Sequence, residues 1–595
     1  MQLQKPVTPV SCEPSGGRSV ADPPALFGTV SIDVQGLAAF RIFIAAIMLY
    51  DFFADLLPVF KDLMGPGLLY SAGYIDGTVF WSLFPESLAL QYSVLAVYVV
   101  ALLLLLIGWR ARSAAFVVFV IYAGIMSRNT LLTNNADVLL RALLLWSSFL
   151  PIAHCWSVDS ALRDGDQQNT RWPVIPVVAI KLQIAVIYFC SGMFKLAGQP
   201  WLEGKAVFYT MADQLYGTSL GAQTVALASD SVLFLLTWAI TIFQLLFSIL
   251  VYVPGVSKYG RPFALIGAVV MHISFILFMR INIFPFVCLA YLFILVPDAW
   301  FDKALTGRRA RLKDMKIFYD SDCGFCRATS RIFREFCLTR QVQVLPASDD
   351  PKAQALLKKH DSWVVYGADG AIYLKWRAVS YILRQSPLFY IFGVMTDLAV
   401  FERVYNLIGR NRLRLSKIFR IFLTPHRDLW PDVTAQGICG VLALVMVFYT
   451  FMSLPQSPFS PPPNLQLVAK NTGLDQVWSI FAPETAAYIR EYTVKGYDVQ
   501  GKPVDLSSVL SLQYSRDSAG YYRFRNHRWQ RYSTYFNSKG VAEGYGKWLC
   551  DNAEADLHHL RLLFAERHKY KETVRWNKGL DYDCLEGLNR DPLEM

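Results

Sequence analysis

The chain has 595 residues, 54% hydrophobic and 17% charged, with a formal net charge of +11 and a mean hydropathy of +0.32. Soluble globular chains carry about 25% charged residues, and a chain this long is too large for one soluble core. Its apolar runs approach the roughly 20 residues that cross a bilayer, so a single soluble enzyme is excluded, and the basic excess fits cytoplasmic loops better than nucleic acid.

In chain order, residues 1–31 are polar and rich in Pro, Gly and Ser, with no apolar core of a signal peptide, and are expected to be a disordered cytosolic tail. Candidate spans follow at 34–57, 88–107, 113–126, 138–151, 175–196, 232–253, 263–278, 281–296 and 434–452. The loops at 108–112, 303–313 and 403–427 are basic. Placing all three inside gives one topology. The N-terminus is in, eight crossings precede an inner module, and a ninth crossing puts the C-terminus outside.

Four polar features interrupt the apolar runs: Lys195 at a span end, His272 within V-M-H-I-S-F, the break R-I-N-I-F-P-F from Arg280, and N-N-A-D from Asn134. Each has a structural account. Span-end lysines snorkel, Asn and Asp cap helices, and a buried His is often a satisfied core residue. Each also qualifies as a functional candidate, because ionisable groups inside membranes are costly.

Further pieces are W-S-V-D from Trp156, Y-F-C-S-G-M-F-K-L from Tyr188, then Trp201, Leu202, Glu203 and Gly204, with M-H-I and N-I-F-P-F beyond. Residues 32–300 thereby resemble the HTTM membrane domain of the vitamin K-dependent gamma-carboxylase family. The resemblance implies Lys195 as a base beside a reduced quinone, with His272 and Trp201 in the same membrane site. It implies a quinone or hydroquinone as cofactor; the residues alone fix none. Phe194 stands where the carboxylase pattern has a second lysine.

The stretch I-F-Y-D-S-D-C-G-F-C ends a β-branched and aromatic run at Asp320 and places Cys323 and Cys326 at a helix start. Helix N–H groups and the dipole stabilise a thiolate there. Asp320 and Asp322 oppose it by like charge. A zinc half-site or two inert thiols are the alternatives, but a zinc site needs four ligands and no second Cys-x-x-C lies nearby. D-x-x-C-x-x-C, with Y-N-L-I-G-R-N-R-L-R-L-S from Tyr405, resembles the DCC family of thiol–disulfide oxidoreductases over residues 313–421. The resemblance implies a thioredoxin-like α/β domain and a catalytic role for Asp320, Cys323 and Cys326. No proline precedes the candidate strand 362–366, where thioredoxin relatives carry a cis-proline.

Beyond the last span, 454–463 is a stiff proline-rich linker. Residues 464–595 are expected to form an extracytoplasmic, sheet-rich α+β domain with strands near 487–494, 510–514 and 521–524 and a helix over 545–570. Cys550 and Cys584 share this side and could pair. His558, His559 and His568 match no metal-ligand spacing.

The expected fold is a polytopic α-helical membrane protein with an inserted thioredoxin-like domain and a soluble C-terminal domain, in a bacterial inner membrane. The leading function is a membrane-bound protein-disulfide reductase acting on a thiol or disulfide protein partner, coupled to a quinone-type site. The alternatives are a carboxylase- or epoxidase-like enzyme using Lys195, and a non-catalytic transport or peptide-processing scaffold. The bilayer is the one partner the composition dictates; nucleic acid is not expected.

Overall fold

The computed structural model describes residues 29–65, 85–163, 171–213, 215–339, 341–396, 399–418, 431–483, 488–506, 509–510, 514–516, 522–536, 538–553, 557–568, 574–585 and 587–588. The expected N-terminal tail lies almost wholly outside them.

Helices dominate. The membrane part holds α1 (Val34–Asp51), α2 (Leu88–Ile107), α3 (Ala111–Arg128), α4 (Asn135–Ser147), α5 (Val174–Leu196), α6 (Asp230–Tyr252), α7 (Ser257–Phe278) and α8 (Phe284–Leu292). After them come α9 (Asp298–Leu312) and, much later, α10 (Val433–Met452). Among the described residues seven helices are long and apolar enough to cross a membrane, or eight if one bent pair counts as a span.

This corrects the nine spans read from hydropathy. The expected span at 138–151 is α4, of 13 residues. At 1.5 Å per residue it is about 20 Å long, short of a hydrocarbon core of about 30 Å. It still runs back along α3, because Ser148 beyond its end accepts a 2.9 Å bond from Arg112 Nε near the start of α3. The expected span at 281–296 is the bent pair. An apolar helix, Phe284–Leu295, turns by 88° into α9. Pro297 sits at the corner, and proline disfavours helical backbone in the residue before it; Val296 has ψ 121°.

One end of the bundle is held by buried polar contacts. Gly108 closes α2 at φ +69°, and a Cβ there would lie 2.5 Å from the Arg41 guanidinium. That space lets Arg41 donate to the helix-end carbonyls of Leu105 and Leu106, and to those of Ile152 and Trp156. The W-S-V-D piece is part of this joint. Ser157 caps its own short helix, and the Asp159 carboxylate accepts the backbone N–H groups of Arg110 and Ala111, capping α3. Asp298 does the same for α1, accepting from Val34 and Gln35.

Between α9 and α10 lies a four-stranded sheet built from Lys316–Tyr319, Gln343–Pro346, Val364–Tyr366 and Ile372–Leu374. The first two strands are parallel and joined through α11 (Gly324–Cys337); the other pairings are antiparallel. The module closes with α12 (Lys375–Arg384), α13 (Tyr390–Met395) and α14 (Ala399–Ile418). It meets the bundle where the backbone N–H of Trp156 donates to Glu335 at 2.8 Å.

The C-terminal part holds a five-stranded antiparallel sheet with His559–His568 at its centre, between Tyr488–Tyr497 and Val574–Asp583. The helix expected over 545–570 is wrong in its second half. Helix α15 (Lys539–Asn552) stops early, and the next apolar run is this central strand. Leu560 and Leu562 are buried in alternation, a period of two rather than 3.6. Cys550 and Cys584 form a disulfide between that helix and the sheet.

Candidate functional site

The dithiol sits where the first strand of the inserted module feeds α11. Cys323 is the N-cap of that helix, and the backbone N–H of Cys326 donates to its Sγ at 3.2 Å. An N-cap acceptor normally satisfies one orphan helix N–H; here a sulfur does so, and a thiolate does so better than a thiol. The hydrogen bond from the Cys326 thiol, then that backbone N–H and the charge of Arg412, bring Cys323 down to about 7 against the opposing burial and Asp320. The same shared proton drives Cys326 upward, and burial adds to it. The arrangement thus favours the thiolate at Cys323 and the proton on Cys326.

Neither thiol is open to solvent: Cys323 is 1% exposed and Cys326 6%. Helix α14 runs beside them: its Ser416 hydroxyl would lie 3.5 Å from a Cβ added at Gly324, between the two thiols in the chain. The second motif therefore lies against the first. Arg412 pairs with Asp320 at 3.0 Å and with Asp361 at 2.7 Å. The Tyr405 hydroxyl accepts the backbone N–H of Trp363 at the head of the third strand. Arg412 thereby sets a positive charge beside Asp320 and the thiols, opposing the effect of Asp320 on Cys323. Sequence reasoning named the block but not Arg412; an Arg inside a motif that also contains a Tyr is its only signal.

A second site lies in the membrane part. A cavity of about 470 Å³ is walled mainly by apolar side chains, and Tyr188, Lys195, Trp201, Gln244, His272 and Phe481 line it. Lys195, Trp201 and His272 are thus brought to one place. Lys195 is 5% exposed, which is not the geometry of a snorkelling side chain. Its Nζ donates to Ser191 O at 3.4 Å and lies 4.6 Å from the centre of the Trp201 ring. Trp201 is itself fixed, donating to Phe481 O at 2.8 Å. His272 Nε2 meets the Tyr188 hydroxyl at 3.0 Å. Its Nδ1 and Gln244 Oε1 are buried without a partner among the described residues. Orphaned polar atoms on an apolar wall fit a ligand with a polar head and an apolar body.

The remaining polar features form a third cluster. Asn134 and Asp137 make the expected cap. Asp137 does more. Arg528, fully buried on the short C-terminal helix His527–Ser533, reaches Asp137 at 2.6 and 2.9 Å, Asp51 at 3.3 Å and Asp55 at 3.3 Å. Asn282, from the R-I-N-I-F-P-F break, donates to Asp51 and Asp55. Neither Arg528 nor the two N-terminal carboxylates were among the residues singled out.

The fold and the dithiol define a multi-pass membrane protein carrying an α/β thiol–disulfide oxidoreductase module. Comparison with known families makes this specific. Residues 30–300 match the HTTM domain and residues 317–418 the DCC1-like thiol-disulfide oxidoreductase, so the chain is an HTTM domain followed by a DCC1-like domain. Two curated proteins of Bacillus subtilis (strain 168) are similar to part of it. Sporulation-delaying protein SdpB is 23% identical over 172 residues, covering 27% of this chain and 52% of that protein. Uncharacterized protein YitO is 25% identical over 183 residues, covering 30% of this chain and 57% of that protein. The chain thus spans about half the length of the curated relatives it matches. No solved structure matches.

Proposed function

We propose that the protein is a membrane-bound thiol–disulfide oxidoreductase of the protein-disulfide reductase type, working through Cys323 and Cys326 in a thioredoxin-like domain. The observation that carries this is the Cys326 N–H bonded to Cys323 Sγ at a helix start. The Cys323 thiolate attacks one sulfur of a partner's disulfide, forming a mixed disulfide and releasing the other sulfur as a thiolate. Cys326 then gives up its proton and attacks Cys323 Sγ. The partner leaves as a dithiol, and two electrons have passed from the module, which is left as the Cys323–Cys326 disulfide. Because α14 covers both thiols, it must shift for a protein disulfide to enter.

Sidedness is part of the proposal, in a bacterial inner membrane. The dithiol module (313–421) faces the cytosol and the C-terminal domain (464–595) the outside. The three basic loops support this. So does the presence of the Cys550–Cys584 bridge in the C-terminal domain and of a free dithiol in the inserted module, since disulfides persist outside and thiols stay reduced inside. Alkylation of the reduced protein tests the chemistry. Cys323 should react with a half-maximal rate near pH 7, well below the free-thiol value of about 8.5. A midpoint at or above 8.5 would remove the nucleophile from the scheme.

A second reading is favoured by the Lys195 cavity. Its walls and unpartnered His272 Nδ1 and Gln244 Oε1 suit a prenylated quinone, held by Tyr188, Trp201 and His272. Such a group would supply two-electron chemistry, either recharging the dithiol or serving a carboxylase- or epoxidase-like reaction in which Lys195 acts as base. Lys195 can accept a proton at Nζ only when it is uncharged.

A further inference from the structure

The dithiol module carries an apolar surface that nothing in the described chain covers. Leu388 is 84% and Ile391 72% exposed, and Phe392, Met395, Val404 and Leu407 are exposed beside them. Such exposure matches that of Leu235 (65%) on the apolar span α6, and contiguous patches of this kind on a protein surface mark a contact. The patch occupies α13 and the first half of α14. Along the same open side of α14, Arg403, Arg410, Arg414 and Lys417 are also exposed. An exposed helix side that joins an apolar stretch to a basic one has the composition of an interfacial helix on anionic lipid.

The placement of the module limits what can cover this surface. Helix α9 turns 88° away from the apolar helix before it, so it runs across the bundle end and not outward from it. It carries Arg308, Arg309 and Arg311, and the first strand starts at Lys316, four residues after its end. Arg308 ties α9 down, donating to Cys337 O and Gln385 O. Gln385 directly precedes the patch. On the other side of α14 the chain enters the span α10 at Val433. The apolar and basic surface is thus held between two membrane entries.

We propose that α13 and α14 lie in the headgroup layer of the protein's own bilayer, with Leu388, Ile391, Phe392 and Leu407 in the acyl boundary and Arg403, Arg410 and Arg414 on anionic lipid phosphates. One consequence concerns the dithiol. The opposite side of α14 holds Arg412 against Asp320, so the helix that covers the thiols is the helix that rests on the membrane. This surface contact does not depend on the redox reading and stands if the thiols prove inert.

Acyl-chain photolabelling of the full, unsubstituted chain tests it. The protein is reconstituted in phosphatidylcholine vesicles containing a diazirine-bearing phospholipid, with and without one-third phosphatidylglycerol. Lipid adducts should map to peptides within 388–411 as well as to α6, with the yield at 388–411 rising at least two-fold with phosphatidylglycerol. The triple substitution Arg403→Gln, Arg410→Gln and Arg414→Gln should abolish that rise while leaving labelling of α6 unchanged. Labelled spans with an unlabelled 388–411 would overturn the proposal, because another protein or a second copy would then have to be the cover.

Discussion

Arg528→Ala should destabilise the protein more than any other single substitution outside the hydrophobic core. The guanidinium is fully buried and lies 2.6–3.3 Å from three carboxylates, Asp137 on α4 and Asp51 and Asp55 at and just beyond the end of α1. Removing it leaves Asp51, Asp55 and Asp137 facing one another with only Asn282, Tyr122 and backbone donors left. Breaking a buried pair by deleting one partner costs about 3–5 kcal/mol. With roughly 2–4 °C per kcal/mol for a unit of 150–250 residues, the melting temperature should fall by about 10 °C. The assay is thermal unfolding of the full chain in nanodiscs, followed by tryptophan emission. Arg528→Lys should sit between, because an ammonium cannot fork across Asp137. Adding Asp137→Asn and Asp51→Asn to Arg528→Met should recover at least half the loss, since removing both sides of a buried pair is far cheaper than removing one. A fall below about 2 °C for Arg528→Ala would refute the idea that this contact locks the C-terminal domain onto the membrane part.

Three further outcomes are expected. Arg412→Gln removes the cation that offsets Asp320, so the pH midpoint of Cys323 alkylation should move up from about 7 toward the free value of about 8.5; an unmoved midpoint would leave Arg412 a structural residue. A short-chain naphthoquinone at about 100 times its dissociation constant should stabilise the wild-type protein by about 2.7 kcal/mol, and Lys195→Arg, which adds bulk to the cavity, should lose most of that shift; equal shifts would place the ligand elsewhere. A membrane-impermeant thiol reagent applied to intact cells after mild reduction should label Cys550 and Cys584 but not Cys323, and labelling of Cys323 before lysis would reverse the proposed sidedness.

What was legible in the chain follows the range of the interactions. Cys323 and Cys326 could be read because a strand, a tight turn and a helix start are all encoded within ten residues, and the spans because apolar length is a local property. Lys195 and His272 stood out as ionisable groups in apolar runs and Trp201 through the family resemblance, but their convergence on one cavity is tertiary. Two of the expected spans differ in the structure for physical reasons. Hydropathy does not see that α4 is only 13 residues long between its caps, nor that Pro297 turns the chain by a right angle. The helix expected through 545–570 failed because Leu560 and Leu562 fit either period over so short a run. Arg528 was invisible for a different reason. Its partners lie 391 and 477 positions away, and nothing in a basic, aromatic stretch such as N-H-R-W-Q-R-Y distinguishes a buried arginine from a solvated one.

The central claim is that Cys323 attacks and Cys326 resolves. It is tested most directly by purifying Cys326→Ser under acid quench and separating it on non-reducing gels. With its resolving thiol gone, the variant should accumulate a reducible covalent adduct through Cys323 that neither the wild type nor Cys323→Ser shows. A Cys326→Ser protein that carries no adduct, while Cys323→Ser carries one through Cys326, would reverse the roles and contradict the account.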